Sequence, residues 1–444
     1  EYVRTIRSFT IETLDAVELL YVEREESGAL VTPPVRAELE SVRQTHPGEQ
    51  VRVRVTQRPA VTVLARVDDV PGFGWKGWPP FPATAVEPVV ARPLRLSNGL
   101  VTVQVDPTSG TFAIGDLAGF GAIVDGGDVG DTYNWCPPEH DTEVDTSVDA
   151  AGSVSCRLLE QGPLRAKLEI RRTLTLPTHV EDGFRVGQSP IAVRTTLELR
   201  AGEDLLRVQV AFDNHGIRDH RLRLRFPLPE PAATSTAECA FATVERGLTA
   251  EGGPSETGLP TFPSRRFVSA GGLTVAHEGL LEYELVDLRD ERAHALALTV
   301  LRCTGMLSQG PMTTRPLPAG PMTPLEGPQQ QGPVTARFAL HVGDRDPYAV
   351  VDDAFLPLAV TRAGNGDRPR DGQALGITGA EVSAVVRDDA GALQVRVFNP
   401  SADATTVEVP DRRGALVDLR GRIVGGFDGS FSLRPWGIAT LVID

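Results

Sequence analysis

An all-β fold in several modules is what this sequence predicts, on three observations. Short segments alternate apolar and polar residues with a period of two, the pattern of half-buried strands. The 35 prolines and 44 glycines are spread along all 444 residues, as many short strands joined by turns require and as helices do not tolerate. Apolar residues at helical spacing are nearly absent, the one short stretch being Asp353 to Leu358.

The strands can be read off in order. Val51-Arg52-Val53-Arg54-Val55 alternates, as does Leu100-Val101-Thr102-Val103-Gln104-Val105. Leu205 to Phe212 continues the pattern and Arg221-Leu222-Arg223-Leu224-Arg225-Phe226 repeats it. Leu393 to Phe398 and Ile438 to Ile443 supply strands near the end. Proline-rich Trp78-Pro79-Pro80-Phe81-Pro82 closes a small N-terminal β-sandwich module, residues 1–90. Residues 91–360 carry enough strands for one large two-sheet sandwich, because broad sheets fold into packed layers instead of extending flat. Thr361 to Gly376, rich in Gly, Asp, Arg and Pro, reads as a linker or long loop. It opens a small C-terminal β module, residues 361–444. There is no internal repeat at a fixed period.

The formal net charge of −15 repels phosphate backbones and anionic lipid, so neither nucleic acid nor membrane is the expected partner. No apolar run approaches the ~20 residues of a membrane span. The chain opens on Glu1-Tyr2-Val3, without Met or a basic-then-apolar leader, and reads as a processed or cut piece. Cys136, Cys156, Cys239 and Cys303 stand far apart with no Cys-x-x-Cys pair. Free, buried thiols in a reducing cytoplasm are the expectation.

Candidate chemistry is sparse. His215 and His220 flank an Asn, Gly and Asp-rich segment between two strands, which reads as a hairpin turn and not as a metal site. The loop from Asp128 to Pro138 packs Asp131, Tyr133, Asn134 and Trp135 between strands. Aromatic rings beside carboxylates are how proteins hold sugars, and an ordinary Asx-turn with its aromatics folded onto the core is the competing reading. In Gly310 to Pro321 the prolines pre-set the backbone. Arg315 is there either held for a ligand or exposed on a stiff loop. Gln329-Gln330-Gln331 is too short to count as low complexity. With 59 acids in the chain, linear order does not pick a catalytic pair, and no Gly-x-Ser-x-Gly, P-loop or Gly-x-Gly-x-x-Gly follows a strand.

Five segments, taken in order, resemble the C-terminal half of glycoside hydrolase family 38 α-mannosidases, especially bacterial ones. They are Val70-Pro71 to Trp78, Asn98 to Val105 with Ser109-Gly110-Thr111, and Gly130-Asp131-Thr132-Tyr133-Asn134. After these come Asn214 with His220-Arg221-Leu222-Arg223 and Phe226-Pro227, then Thr314-Arg315-Pro316 with Ala319-Gly320-Pro321 and Thr323-Pro324. Trp135-Cys136 stands where the family more often has Phe-Ser.

The resemblance implies a large supersandwich of galactose mutarotase-like type. It also implies a retaining, zinc-dependent α-mannosidase acting through two carboxyl groups about 5 Å apart. Nucleophile, acid/base and zinc ligands would lie in an N-terminal barrel outside these residues, so the chain itself would carry no catalytic residue and no metal, and would be inactive alone. Its partners would be that barrel and the α-mannoside, with homo-oligomerisation left open. Tyr133, Asp131 and Arg315 inherit substrate-binding roles. The alternative is a stand-alone carbohydrate-binding protein using Tyr133, Trp135 and Arg315 without hydrolysis, and a third reading is a scaffold with no sugar affinity.

Overall fold

The computed structural model describes residues 5–14, 17–25, 40–41, 44, 52–57, 64–77, 85–148, 152–279, 281–361, 369–388 and 390–444. The chain divides into two compact units, Glu1–Arg66 and Val67–Asp444. The first contains a three-stranded sheet in which Val17–Glu25 lies between antiparallel Thr5–Leu14 and parallel Arg52–Gln57.

The second unit is built on two large antiparallel sheets. In one, Ala122–Gly127, His220–Ala232, Arg292–Arg302 and Leu281–Arg289 are successive neighbours in a six-stranded array. In the other, Arg165–Leu176, Ser189–Arg200, Leu206–Asp213 and Pro333–Val342 form the middle of nine strands. The period-two pattern dictates which face turns inward. Leu206, Val208, Val210 and Phe212 are buried, and Gln209 and Asp213 are exposed. In His220–Ala232 the inward residues Leu222, Leu224 and Phe226 are completely buried. Each such side chain contributes roughly 1.5–3 kcal/mol of transfer free energy. Phe226 stacks between Phe120 and Phe338, at ring-centroid distances of 6.4 and 5.4 Å, so one core is shared by both large sheets and by the five short strands between Val90 and Phe120.

The alternate face of the same strand carries Arg221, Arg223 and Arg225. Arg221 pairs with Glu282 at 2.6 Å, Arg223 with Glu284 at 2.5 Å and Arg225 with Asp145 at 3.0 Å. Buried guanidinium groups keep such a place only when paired.

Among the described residues, α-helix is confined to 40–41, 44 and Pro347–Phe355. The expected helical stretch at Asp353 to Leu358 is displaced toward the N-terminus. Asp346 caps the helix by accepting from the Tyr348 backbone N–H, and Pro347 sits in its first turn, both strong start signals. The C-terminal module is a five-stranded sheet with its own core of Val395, Val397, Val407, Val409 and Leu441. Phe398 leaves it to pack against Tyr348 and Phe241. Part of the Gly-rich stretch expected to be a linker is a short strand. Asp371–Gln373 pairs antiparallel with Gly74–Lys76, across nearly 300 residues. The Trp78–Pro82 junction and residues 362–368 lie outside the described residues. All four cysteines are free, Cys136 and Cys303 buried and Cys156 and Cys239 partly so.

Candidate functional site

Register places the site. Gly127 pairs with His220, so the Asp128 loop leaves its strand beside the connection that carries the chain from Leu206–Asp213 in the nine-stranded sheet to His220–Ala232 in the six-stranded one. That corner is nailed down by buried polar groups. His220 has no exposed surface, its Nδ1 lies 2.7 Å from Asp125 Oδ1, and its Nε2 lies 3.0 Å from Asn214 Oδ1. Arg185 closes the other side of Asp125. Asn214 Nδ2 donates to the carbonyls of Gln329 and Gln330 and to Cys303 Sγ. The expected hairpin turn is instead a crossover between the two large sheets, with His215 exposed in it and His220 opening the next strand as its anchor. The Gln329–Gln331 run, featureless in sequence, braces this crossover. Gln329 Nε2 donates to Asp219 Oδ1 at 2.7 Å and Gln331 Nε2 to Ile217 O at 2.6 Å.

From this base the Asp128 loop folds on itself. Asp128 Oδ1 accepts from the Gly130 N–H at 2.8 Å, and Oδ2 takes Arg302 Nε at 2.7 Å. Burial outweighs Arg302 and pushes the Asp128 carboxyl up to about 6. Arg302 also donates to Asp131 O, Thr304 Oγ1 to Gly130 O, and Thr132 Oγ1 to Leu307 O. A Cβ on Gly130 would collide with Asn134 O, so no other residue fits there.

Asp131 is completely buried, and both of its carboxylate oxygens are engaged by the loop and by the segment that carries Gln309 and Arg315. Oδ1 accepts the N–H groups of Tyr133 and Asn134, both at 2.9 Å, and Oδ2 accepts Gln309 N–H at 2.7 Å and pairs with Arg315. Burial alone would raise its carboxyl, and these donors together hold it below the ordinary value. Arg315 is neither solvent-exposed nor free for a ligand. It is 7% exposed and also donates to Leu317 O, Gln309 O and Asn134 Oδ1. Of the three residues expected to bind substrate, the structure therefore brings all together but turns two inward.

Tyr133 is the outward one. It is 58% exposed, with its ring above the Arg315 guanidinium at 5.8 Å. Trp135 turns the other way, donating Nε1 to Gly127 O and covering Arg221 at 4.8 Å. A third loop, unnoticed in sequence, joins the cluster. Thr257 N–H donates to Thr314 O, and exposed Glu256 accepts Asn134 Nδ2 at 2.6 Å. Only its Glu-Gly-Gly-Pro turn composition could have signalled a loop, and nothing in it signalled the contact. The result is an ordered chain, Asp131–Arg315–Asn134–Glu256, that ends on an exposed carboxylate, while Tyr133 stands out from the same loop. Chemically it can offer a ring face, a hydroxyl and a carboxylate to a polyhydroxylated ligand. Among the described residues no three His, Cys, Asp or Glu side chains converge to hold a metal ion.

No family model matches the chain. Over 397 residues it is 27% identical to a protein of Halalkalibacterium halodurans described as "Putative mannosylglycerate hydrolase", covering 78% of this chain and 41% of that one. Its fold is shared with an alpha-mannosidase from Enterococcus faecalis V583, with TM-score 0.65 and 21% identity over 80% of this chain and 43% of that structure. A second Enterococcus faecalis structure, a protein in Glycosyl Hydrolase Family 38, gives TM-score 0.65 and 22% identity over 80% and 44%. The chain thus spans about two fifths of the length of the curated relative it matches, and the similarity read from the five motifs falls on relatives described as glycoside hydrolases.

Proposed function

We propose, proceeding from that kinship, that the chain is the β-rich, C-terminal part of a retaining, zinc-dependent α-mannosidase of glycoside hydrolase family 38. Its task is to complete an active site whose reacting carboxylates and metal lie in an N-terminal barrel. The observation that carries this reading is Tyr133, more than half exposed on a loop whose Asp131, Thr132 and Asn134 side chains are engaged by the loop and the segments packed on it. Such a loop is preorganised to present one side chain without ordering cost at binding. Tyr133 supplies ring and hydroxyl to the sugar, and Asp131 and Arg315 act as positioning residues.

The stand-alone sugar-binding alternative relied on Trp135 and Arg315 as well, and both are turned inward. The four free thiols support a reducing, cytoplasmic setting, and among the described residues no helix is long and apolar enough to cross a membrane.

The experiment expresses two proteins, this chain and the longest open reading frame that contains it, and follows aryl α-mannoside cleavage with anomer-resolved NMR of the product. The long form should release α-mannose with retention and this chain should release none. Turnover by this chain alone, or an inverted product, would defeat the assignment.

A further inference from the structure

Arg172 lies in the middle of the shared core, on the inward face of Arg165–Leu176 together with Leu168, Ile170 and Leu174, and is 1% exposed. Its guanidinium makes one hydrogen bond, from Nη2 to Gly121 O at 3.0 Å, and its Nε and Nη1 have no partner. Among the described residues none forms an ion pair with it. Burial lowers its pKa to about 10, which leaves it charged at neutral pH. The stem runs across Gly110, so close that a Cβ there would meet Cδ at 2.6 Å.

A second buried polar group is orphaned on the neighbouring strand. Thr195 is 1% exposed and its Oγ1 also lacks a partner. In the ladder Arg172 stands opposite Val193, and Thr195 opposite Ile170. Thr195 is therefore the diagonal cross-strand neighbour of Arg172, on the same face of the sheet. Two N–H donor groups and, at the diagonal position of the same inward face, a hydroxyl thus lack protein partners, and the guanidinium carries a permanent positive charge with no counter-charge among the described residues. Burial of an unpaired charge is strongly unfavourable, and arginine does not escape by losing its proton.

We propose that Arg172 and Thr195 form an internal site for one small monovalent anion, a halide such as chloride, that neutralises the core of the large sandwich. A halide accepts from several donors at once and supplies the missing charge. Water could donate to the Thr195 hydroxyl oxygen and accept from the guanidinium, but it would leave that charge without a counter-charge.

The test is thermal unfolding of this chain in sodium chloride against sodium gluconate at one ionic strength, gluconate being too large to enter. The melting temperature should rise with chloride by on the order of 2 °C per tenfold concentration, as for any ligand bound only by the folded state. Bromide should replace chloride, Arg172→Met should abolish the increment, and Thr195→Val should reduce it. Removing an unpaired buried charge is compatible with folding. Should Arg172→Met nonetheless fail to fold, anomalous diffraction from bromide-soaked crystals of the unaltered chain decides, with a peak expected within hydrogen-bond reach of Nη1 and Thr195 Oγ1. Equal melting in chloride and gluconate, an increment that survives in Arg172→Met, or no bromide peak would each overturn the site and leave ordered water as the partner.

Discussion

Arg315 closes an ion pair on the buried carboxylate of Asp131, a residue 184 positions earlier in the chain. The same guanidinium supports the ring of Tyr133 and the amide of Asn134. Removing it leaves a buried, unmatched carboxylate, a change that costs about 3–5 kcal/mol. Arg315→Met should therefore lower stability by that amount in urea unfolding. Arg315→Lys should recover only part of it, since an ammonium cannot reach the spread acceptors of a planar fork. A surface arginine, as the sequence allowed, would give less than about half a kcal/mol.

Tyr133→Phe separates presentation from packing. With the residue 58% exposed, unfolding should change by less than about 0.5 kcal/mol. In the long form of the enzyme kcat/KM should fall roughly ten- to hundredfold, the cost of one hydrogen bond to a polar or charged partner. Unchanged kinetics on an aryl α-mannoside would remove Tyr133 from the substrate site.

Glu256 is the newcomer to the cluster. It tethers Asn134 from the solvent side at 2.6 Å. Glu256→Ala should leave the melting temperature within about 1 °C, because an exposed contact of this kind contributes little. It should raise KM for the mannoside about three- to tenfold while kcat moves less, the signature of lost binding and not of lost chemistry. A kcat effect without a KM effect would assign Glu256 a different role.

How much of this was legible in sequence follows from the range of the interactions. Strands such as Leu393–Phe398 announce themselves, because alternation is a property of neighbouring residues. The two-sheet core followed from strand number alone. The helix begins ahead of the weak apolar spacing after Asp353, because Asp346 and Pro347 supply its start signals. At the site, Asp128 to Pro138 stands out in sequence as an unusual loop. The roles of its members are decided by partners that sequence cannot pair: Arg302, Gln309 and Arg315 for the loop, Gln329 for the crossover, and Glu256 for the rim. Trp135 and Tyr133 looked equivalent as adjacent aromatics, yet the ladder position of Arg221 draws one inward and leaves the other in solvent.

The last prediction concerns pH, and His277 carries it. The ring ends the strand Leu273–His277, is 1% exposed, and lies 2.7 Å from Ser264 Oγ and 3.0 Å from Gly279 O. Burial lowers its pKa to about 4, outweighing the Gly279 contact, which acts in the opposite direction. A depressed histidine binds fewer protons folded than unfolded across the window from about 4 to 6.5. Its contribution is therefore complete above 6.5 and is lost as pH falls toward 4, a swing of about 3 kcal/mol. Asp128, raised to about 6, has the reverse sign. Its contribution is complete below the ordinary carboxylate value and is lost as pH rises through 6, so the two mask each other in the unaltered protein. His277→Gln removes one of them. Its stability relative to wild type should climb by about 3 kcal/mol as pH is lowered from 6.5 to 4, whatever fixed offset the substitution carries. Urea unfolding of both proteins across that window measures the difference directly, and parallel pH profiles would mean that His277 takes up its proton without leaving the fold.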